Sequence, residues 1–103
     1  MSIQETLIRA IDLQNQQRHD EAIRLFEEVL AVDPANAPAH YSLGVIALNQ
    51  GDPDHAFELA ERGVAAAPTF APLHFLHGTC LQKRDRLADA LAAFDREIGR
   101  AHV

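Results

Sequence analysis

Between His19 and Asp33 the apolar residues Ala22, Ile23, Phe26, Val29 and Leu30 recur at three- and four-residue spacing among polar neighbours, the pattern of an amphipathic helix. The preceding stretch reads the same way. Ser2 and Glu5 form an S-x-x-E pair that can satisfy orphan amide donors at the entrance of a first helix. That helix runs to about Gln16, with Leu7, Ile8, Ile11 and Leu13 at its apolar positions. Polar residues Gln17 to Asp20 make a turn, and Asp33-Pro34 ends the second helix. Asn36 then caps a helix carrying Leu43, Gly44, Ala47 and Leu48, which stops at Gly51, the residue type suited to a left-handed terminus. Asp52-Pro53 opens the next one, aspartate as acceptor for backbone amides and proline where no amide is needed. Its stripe of Ala56, Ala60, Gly63 and Val64 ends at Pro68, and Pro72 to Arg84 and Leu87 to Arg100 supply two more segments. Six helices joined by short connections predict antiparallel neighbours.

The segments repeat. Ala22, Ala56 and Ala90 lie 34 residues apart, as do Pro34 and Pro68, Gly44 and Gly78, and each member of the pairs Ala10/Gly44 and His40/His74. Blocks of about 3–36, 37–70 and 71–103 are therefore three copies of one unit within a single domain spanning 1–103. Self-similarity at this period marks a stacked array, in which one unit cannot bury its apolar face without its neighbours. Small residues at fixed places let successive backbones approach closely, and a large residue there overpacks the seam.

Composition narrows the reading further. The alanine-rich chain of 103 residues has only five glycines, few aromatics and no tryptophan, which suits close helix-on-helix packing in one domain. A formal charge of -6 argues against a nucleic-acid partner, which requires a coherent Lys/Arg surface. The charge is uneven: the first two units hold eleven acids against Arg9, Arg18, Arg24 and Arg62, while the third is slightly basic through Lys83, Arg84, Arg86, Arg96 and Arg100. Head-to-tail attraction between copies is one reading of this asymmetry and a solvated surface is the other. A lone cysteine, Cys80, can form no internal disulfide, so a cytoplasmic setting is expected. Neither a leader nor an apolar run long enough to cross a bilayer is expected from the pattern.

In this register the chain resembles the tetratricopeptide repeat family, whose 34-residue helical hairpins carry small residues at the eighth and twentieth places and proline near the end. The most specific stretch is Leu43-Gly44, Ala47 and Asn49-Gln50-Gly51-Asp52, continuing to Ala56 and Pro68. Unit one matches through Ala10, Ala22, Phe26 and Asp33-Pro34, and unit three through Gly78, Leu81, Ala90 and Phe94. Arg9 stands where the family prefers leucine, and Gln17 and Asp85 replace the turn glycine, without breaking the pattern. Glu97 and Arg100 make the last helix polar where earlier units carry Val29 and Val32, or Gly63 and Ala66, which reads as partial self-capping. The resemblance implies an all-α, right-handed superhelical array of three antiparallel helix-turn-helix hairpins.

It also implies a place for a ligand. The family's concave wall comes mainly from the first helix of each hairpin, which by position is Gln4, Leu7, Ile8, Ile11 and Asn15 in unit one. Unit two contributes Tyr41, Ser42, Val45, Leu48 and Asn49, and unit three Phe75, Leu76, Thr79, Gln82 and Lys83. Such a largely apolar groove suits an extended or helical peptide of a protein partner. The branch of the family that grips acidic C-terminal tails with lysine, asparagine and arginine is not resembled, because Leu7, Ile11, Ser42, Pro72 and Leu76 hold those places. The expected function is a non-catalytic scaffold or adaptor. A self-associating unit, and a regulatory domain cut from a larger bacterial enzyme, remain as alternatives.

Other chemistry finds little support. His74, His77 and Cys80 form an H-x2-H-x2-C series on one helix, but residues three apart rotate around it and a closed zinc site needs four converging ligands. No metal or other cofactor is expected. The glycines are scattered rather than gathered in a phosphate loop, and Ser2 and Ser42 have no nucleophile elbow around them. Acid pairs such as Glu27-Glu28 and Asp52-Asp54 read as solvated faces and caps.

Overall fold

A computed structural model describes residues 2–101, with side chains described as far as Ala92. Among the described residues there are five helices and no strand: α1 (Ile3–Asn15), α2 (His19–Val32), α3 (Ala37–Asn49), α4 (Pro53–Ala66) and α5 (Ala71–Ala101). They pack in chain order, α1 on α2, α2 on α3, α3 on α4 and α4 on α5. The first helices of successive units also touch, α1 with α3 and α3 with α5. This is the packing of a helical-hairpin array.

The helix ends are built from local chemistry. Ser2 Oγ accepts from the Glu5 amide at 3.1 Å, Asn36 Oδ1 from the Ala39 amide at 3.0 Å, and Asp52 Oδ1 from the His55 amide at 3.1 Å. Each satisfies a donor that a helix start leaves free. Asn36 also donates through Nδ2 to Asp33 Oδ2, so one side chain ties the end of α2 to the start of α3. Asn36→Ala is therefore expected to lower the unfolding free energy by about 1 kcal/mol, read as a shift in the urea midpoint.

The turns inside the first two units are closed alike. Gln17 (φ 62°) and Gly51 (φ 81°) adopt the left-handed conformation. In each case the following amide reaches back into the helix, Arg18 to the Leu13 carbonyl and Asp52 to the Ala47 carbonyl, with Gln17 bonding Gln14 and Gly51 bonding Leu48. This pair of bonds is the Schellman closure.

The third unit departs from expectation. Instead of a hairpin of Pro72 to Arg84 and Leu87 to Arg100, it is one helix of 31 residues. Five helices replace the expected six because Asp85-Arg86-Leu87 stands where unit two has Gly51-Asp52-Pro53. A non-glycine residue in the left-handed region costs about 1–2 kcal/mol, and nothing in Lys83 to Leu87 interrupts a straight helix. Gln17 bears the same cost because α2 is held by packing against both α1 and α3. The polar face assigned to Glu97 and Arg100, and the matching place of Phe94, lie outside the described side chains.

The core falls into two parts that share α3. Ala10, Leu13, Ala22, Phe26 and Val29 pack with Ala39, Leu43 and Ile46 of α3. Ala47, also on α3, packs with Ala56 and Ala60 of α4 and Leu76 and Cys80 of α5. α3 accordingly buries more than one face, with Ala39, His40, Ser42, Leu43, Gly44, Ile46 and Ala47 all inside.

Candidate protein-binding surface

The first helices carry the side chains assigned to the groove, and their burial divides those residues into two sets. Ile8 is 61 % exposed and Phe75 77 %, with Ile11 exposed between them in sequence position. Leu7, Tyr41, Val45 and Leu48 are half-buried, their inner edges packed on the two core clusters. Gln4, Asn15, Asn49, Gln82 and Lys83 are exposed polar residues, and Thr79 is half-buried with its hydroxyl donating to the Phe75 carbonyl at 2.9 Å. Ser42 and Leu76, at 8 % and 4 % exposure, point into the array. Leu76 fills the space beside Gly44, where a Cβ would come within 2.6 Å of its Cδ2. These two residues support the wall from behind.

Asn15 and Asn49, one period apart, line one open depression of about 580 Å³ with Gln14, Gln17 and His19, at the hairpin tips. Two amides in one polar hollow can bond backbone groups of a bound segment. A separate cleft of about 300 Å³ lies where α2, α3 and α4 meet, with Ile23, Leu30, Leu43, Ile46 and Leu59 among its lining and Glu27, His55 and Arg62 at its edge. Sequence reasoning passed over this cleft, although Ile23 and Leu30 sit seven residues apart on one helical face.

The histidine and cysteine series does not converge. His74 Nε2 lies 2.6 Å from the Pro68 carbonyl and can donate to it, and His40 does the same with the Pro34 carbonyl at 2.8 Å. One histidine per unit thus fastens the preceding proline turn to the start of the next hairpin. His77 stacks on Phe57 with ring centroids 4.8 Å apart, while Cys80 lies in the core. Burial pushes the Cys80 thiol above its ordinary value against an opposing pull from Lys83, which leaves it a packed, unreactive group. No group of three His, Cys, Asp or Glu side chains that could hold a metal occurs among the described residues. None of their helices is long and apolar enough to cross a membrane.

Arg84 caps this side of the molecule, its guanidinium carbon 4.1 Å from the centroid of the Phe57 ring. With His77 it clasps the first half of α5 to α4. Cation–π and aromatic contacts of this kind hold a helix in one rotational setting. That setting turns Phe75 outward.

No curated protein matches the chain. Residues 9–69 match the model of the tetratricopeptide repeat. That stretch is more than half of the 103 residues and contains the second half of α1 and the whole of α2, α3 and α4. The chain belongs to the tetratricopeptide repeat family.

Proposed function

We propose that this chain is a non-catalytic protein-interaction module, a scaffold or adaptor that holds an extended or helical peptide of its partner against the first helices of its units. Repeats of this family generally mediate protein–protein interaction. The observation that carries the site is the set of apolar side chains left at the surface of the first helices: Ile8 and Ile11 exposed on α1, Tyr41 and Val45 half-buried on α3, and Phe75 exposed on α5. Exposed apolar side chains on touching helices lose water when an apolar anchor docks. In the right-handed array that the family implies, the first helices form the concave side. Asn15, Asn49, Gln82 and Lys83 supply polar and basic contacts at its edge. A reducing cytoplasmic setting fits one buried, unpaired thiol.

An affinity capture comparing the wild type with Phe75→Ala and Tyr41→Ala tests the groove. Phe75→Ala is expected to release the captured partner with no change in thermal unfolding, because the ring is mostly in solvent. Tyr41→Ala should also release it, with some loss of stability from the half-buried ring. Equal capture by all three proteins would remove the assignment.

A further inference from the structure

We propose that the cleft between α2 and α4 is a second docking site, which takes an aromatic side chain of a protein partner together with a neighbouring lysine or arginine. α2 and α4 flank α3 without packing on each other, and a slot of about 300 Å³ opens between them over the α3 residues Leu43, Ile46 and Ala47. That volume is at the lower limit of small-molecule pockets and suits one inserted side chain. Ile23 and Leu30 on α2 and Leu59 on α4 stay half-buried at its walls. Glu27 on the α2 wall and Arg62 on the α4 wall are exposed, and neither makes an ion pair among the described residues.

The repeat itself indicates which chemistry fits the slot. One period on, Phe57 stands for Ile23, Glu61 for Glu27, His77 for Leu43 and Arg84 for Gln50. At the α4–α5 joint these four residues form one cluster. His77 stacks on the Phe57 ring with centroids 4.8 Å apart, the Arg84 guanidinium carbon lies 4.1 Å from the centroid of the same ring, and Glu61 lies 3.9 Å from His77 Nε2. The earlier unit keeps the acid and lacks the ring and the cation, although Ile23, Leu43 and Gln50 all line the slot. A partner that brings an aromatic ring with a basic neighbour supplies the two groups that the chain supplies for itself one unit later.

Electrostatics select the same occupant. Glu27 is followed by Glu28, and the first two units hold eleven acids against four arginines, so a basic segment is drawn to this part of the surface. The ring gains apolar cover from Leu43, Ile46 and Leu59 while the cation meets Glu27. Arg62 on the opposite wall repels a second cation, which restricts the basic residue to one side of the anchor. The slot shares no lining side chain with the groove on the first helices, so the two surfaces are independent.

The test is a random-peptide phage library selected on the immobilised wild-type chain and depleted on Ile23→Phe/Gln50→Arg, which rebuilds in the slot the ring and cation of the α4–α5 joint. The surviving peptides are expected to carry an aromatic residue beside lysine or arginine. A synthetic peptide of that sequence should bind Glu27→Lys about tenfold more weakly than the wild type, and Phe75→Ala as tightly as the wild type. Glu27 is exposed, so its replacement leaves the fold intact. Exchanging the basic residue of the peptide for glutamate should restore binding to Glu27→Lys. Survivors without the aromatic and basic pair, no survivors at all, an affinity insensitive to Glu27→Lys, or binding lost with Phe75→Ala would each overturn the proposal.

Discussion

Gly63→Leu is expected to destabilise the array by about 3 kcal/mol, a large fraction of the roughly 5–15 kcal/mol that holds a domain of this kind together. A Cβ on Gly63 would lie 2.7 Å from Leu73 Cδ2 and 2.9 Å from His40 Cβ. Leu73 can rotate, but His40 Cβ moves only with the backbone of α3. Relief of the clash therefore forces α3 and α4 apart, and with them the His40 bond to the Pro34 carbonyl. Leucine adds three further carbons to the same seam. Gly63→Ala should lose less, because alanine recovers about 1 kcal/mol of helix propensity over glycine. Gly44→Ala should lose less again, since its nearest obstacle is the mobile end of Leu76. Urea titration gives the ranking directly, and a Gly63→Leu midpoint equal to the wild type would contradict the close approach of α3 and α4.

Phe26→Ala is expected to lower stability by about 3–5 kcal/mol. Among the described residues Phe26 is the largest fully buried side chain, and it lies in the cluster where α1, α2 and α3 meet. Its removal leaves space among Ala10, Ala22 and Ala39, whose short side chains cannot swing in to fill it. Loss of transfer free energy and the residual cavity then add. The urea transition of the variant should move to a lower midpoint, and its slope should fall if the first hairpin opens separately from the rest. A loss below about 1 kcal/mol would show that the site collapses around the missing ring.

Two of the three hairpins were legible because their boundaries carry local chemistry: Ser2, Asn36 and Asp52 bond the amides they were expected to bond, and Gly51 takes the left-handed turn. The third turn was read from period alone, and there the local sequence is helical. Gln17 shows why no rule about glycine could decide the matter. It makes the same turn without glycine, because packing on both sides of α2 stabilises the bend. The residues assigned to the groove divide by burial. Ile8 is exposed, whereas Ser42 and Leu76, one and two periods on, turn inward: Ser42 because α3 is enclosed by α1, α2, α4 and α5, and Leu76 because it packs beside Gly44 on α3. Which face of a central helix remains open depends on its neighbours in space, and a single helix-period pattern does not encode them.

α3 belongs to both parts of the core, so it is the keystone through which the two ends of the molecule communicate. Fraying of α1 strips one flank of α3 and leaves the Ala47 side seated against α4 and α5; loss of α5 does the reverse. Each terminus can therefore peel away while the middle stays standing. A partner lying along α1, α3 and α5 would splice both flanks into one cooperative block, turning occupancy itself into a brace for the whole stack.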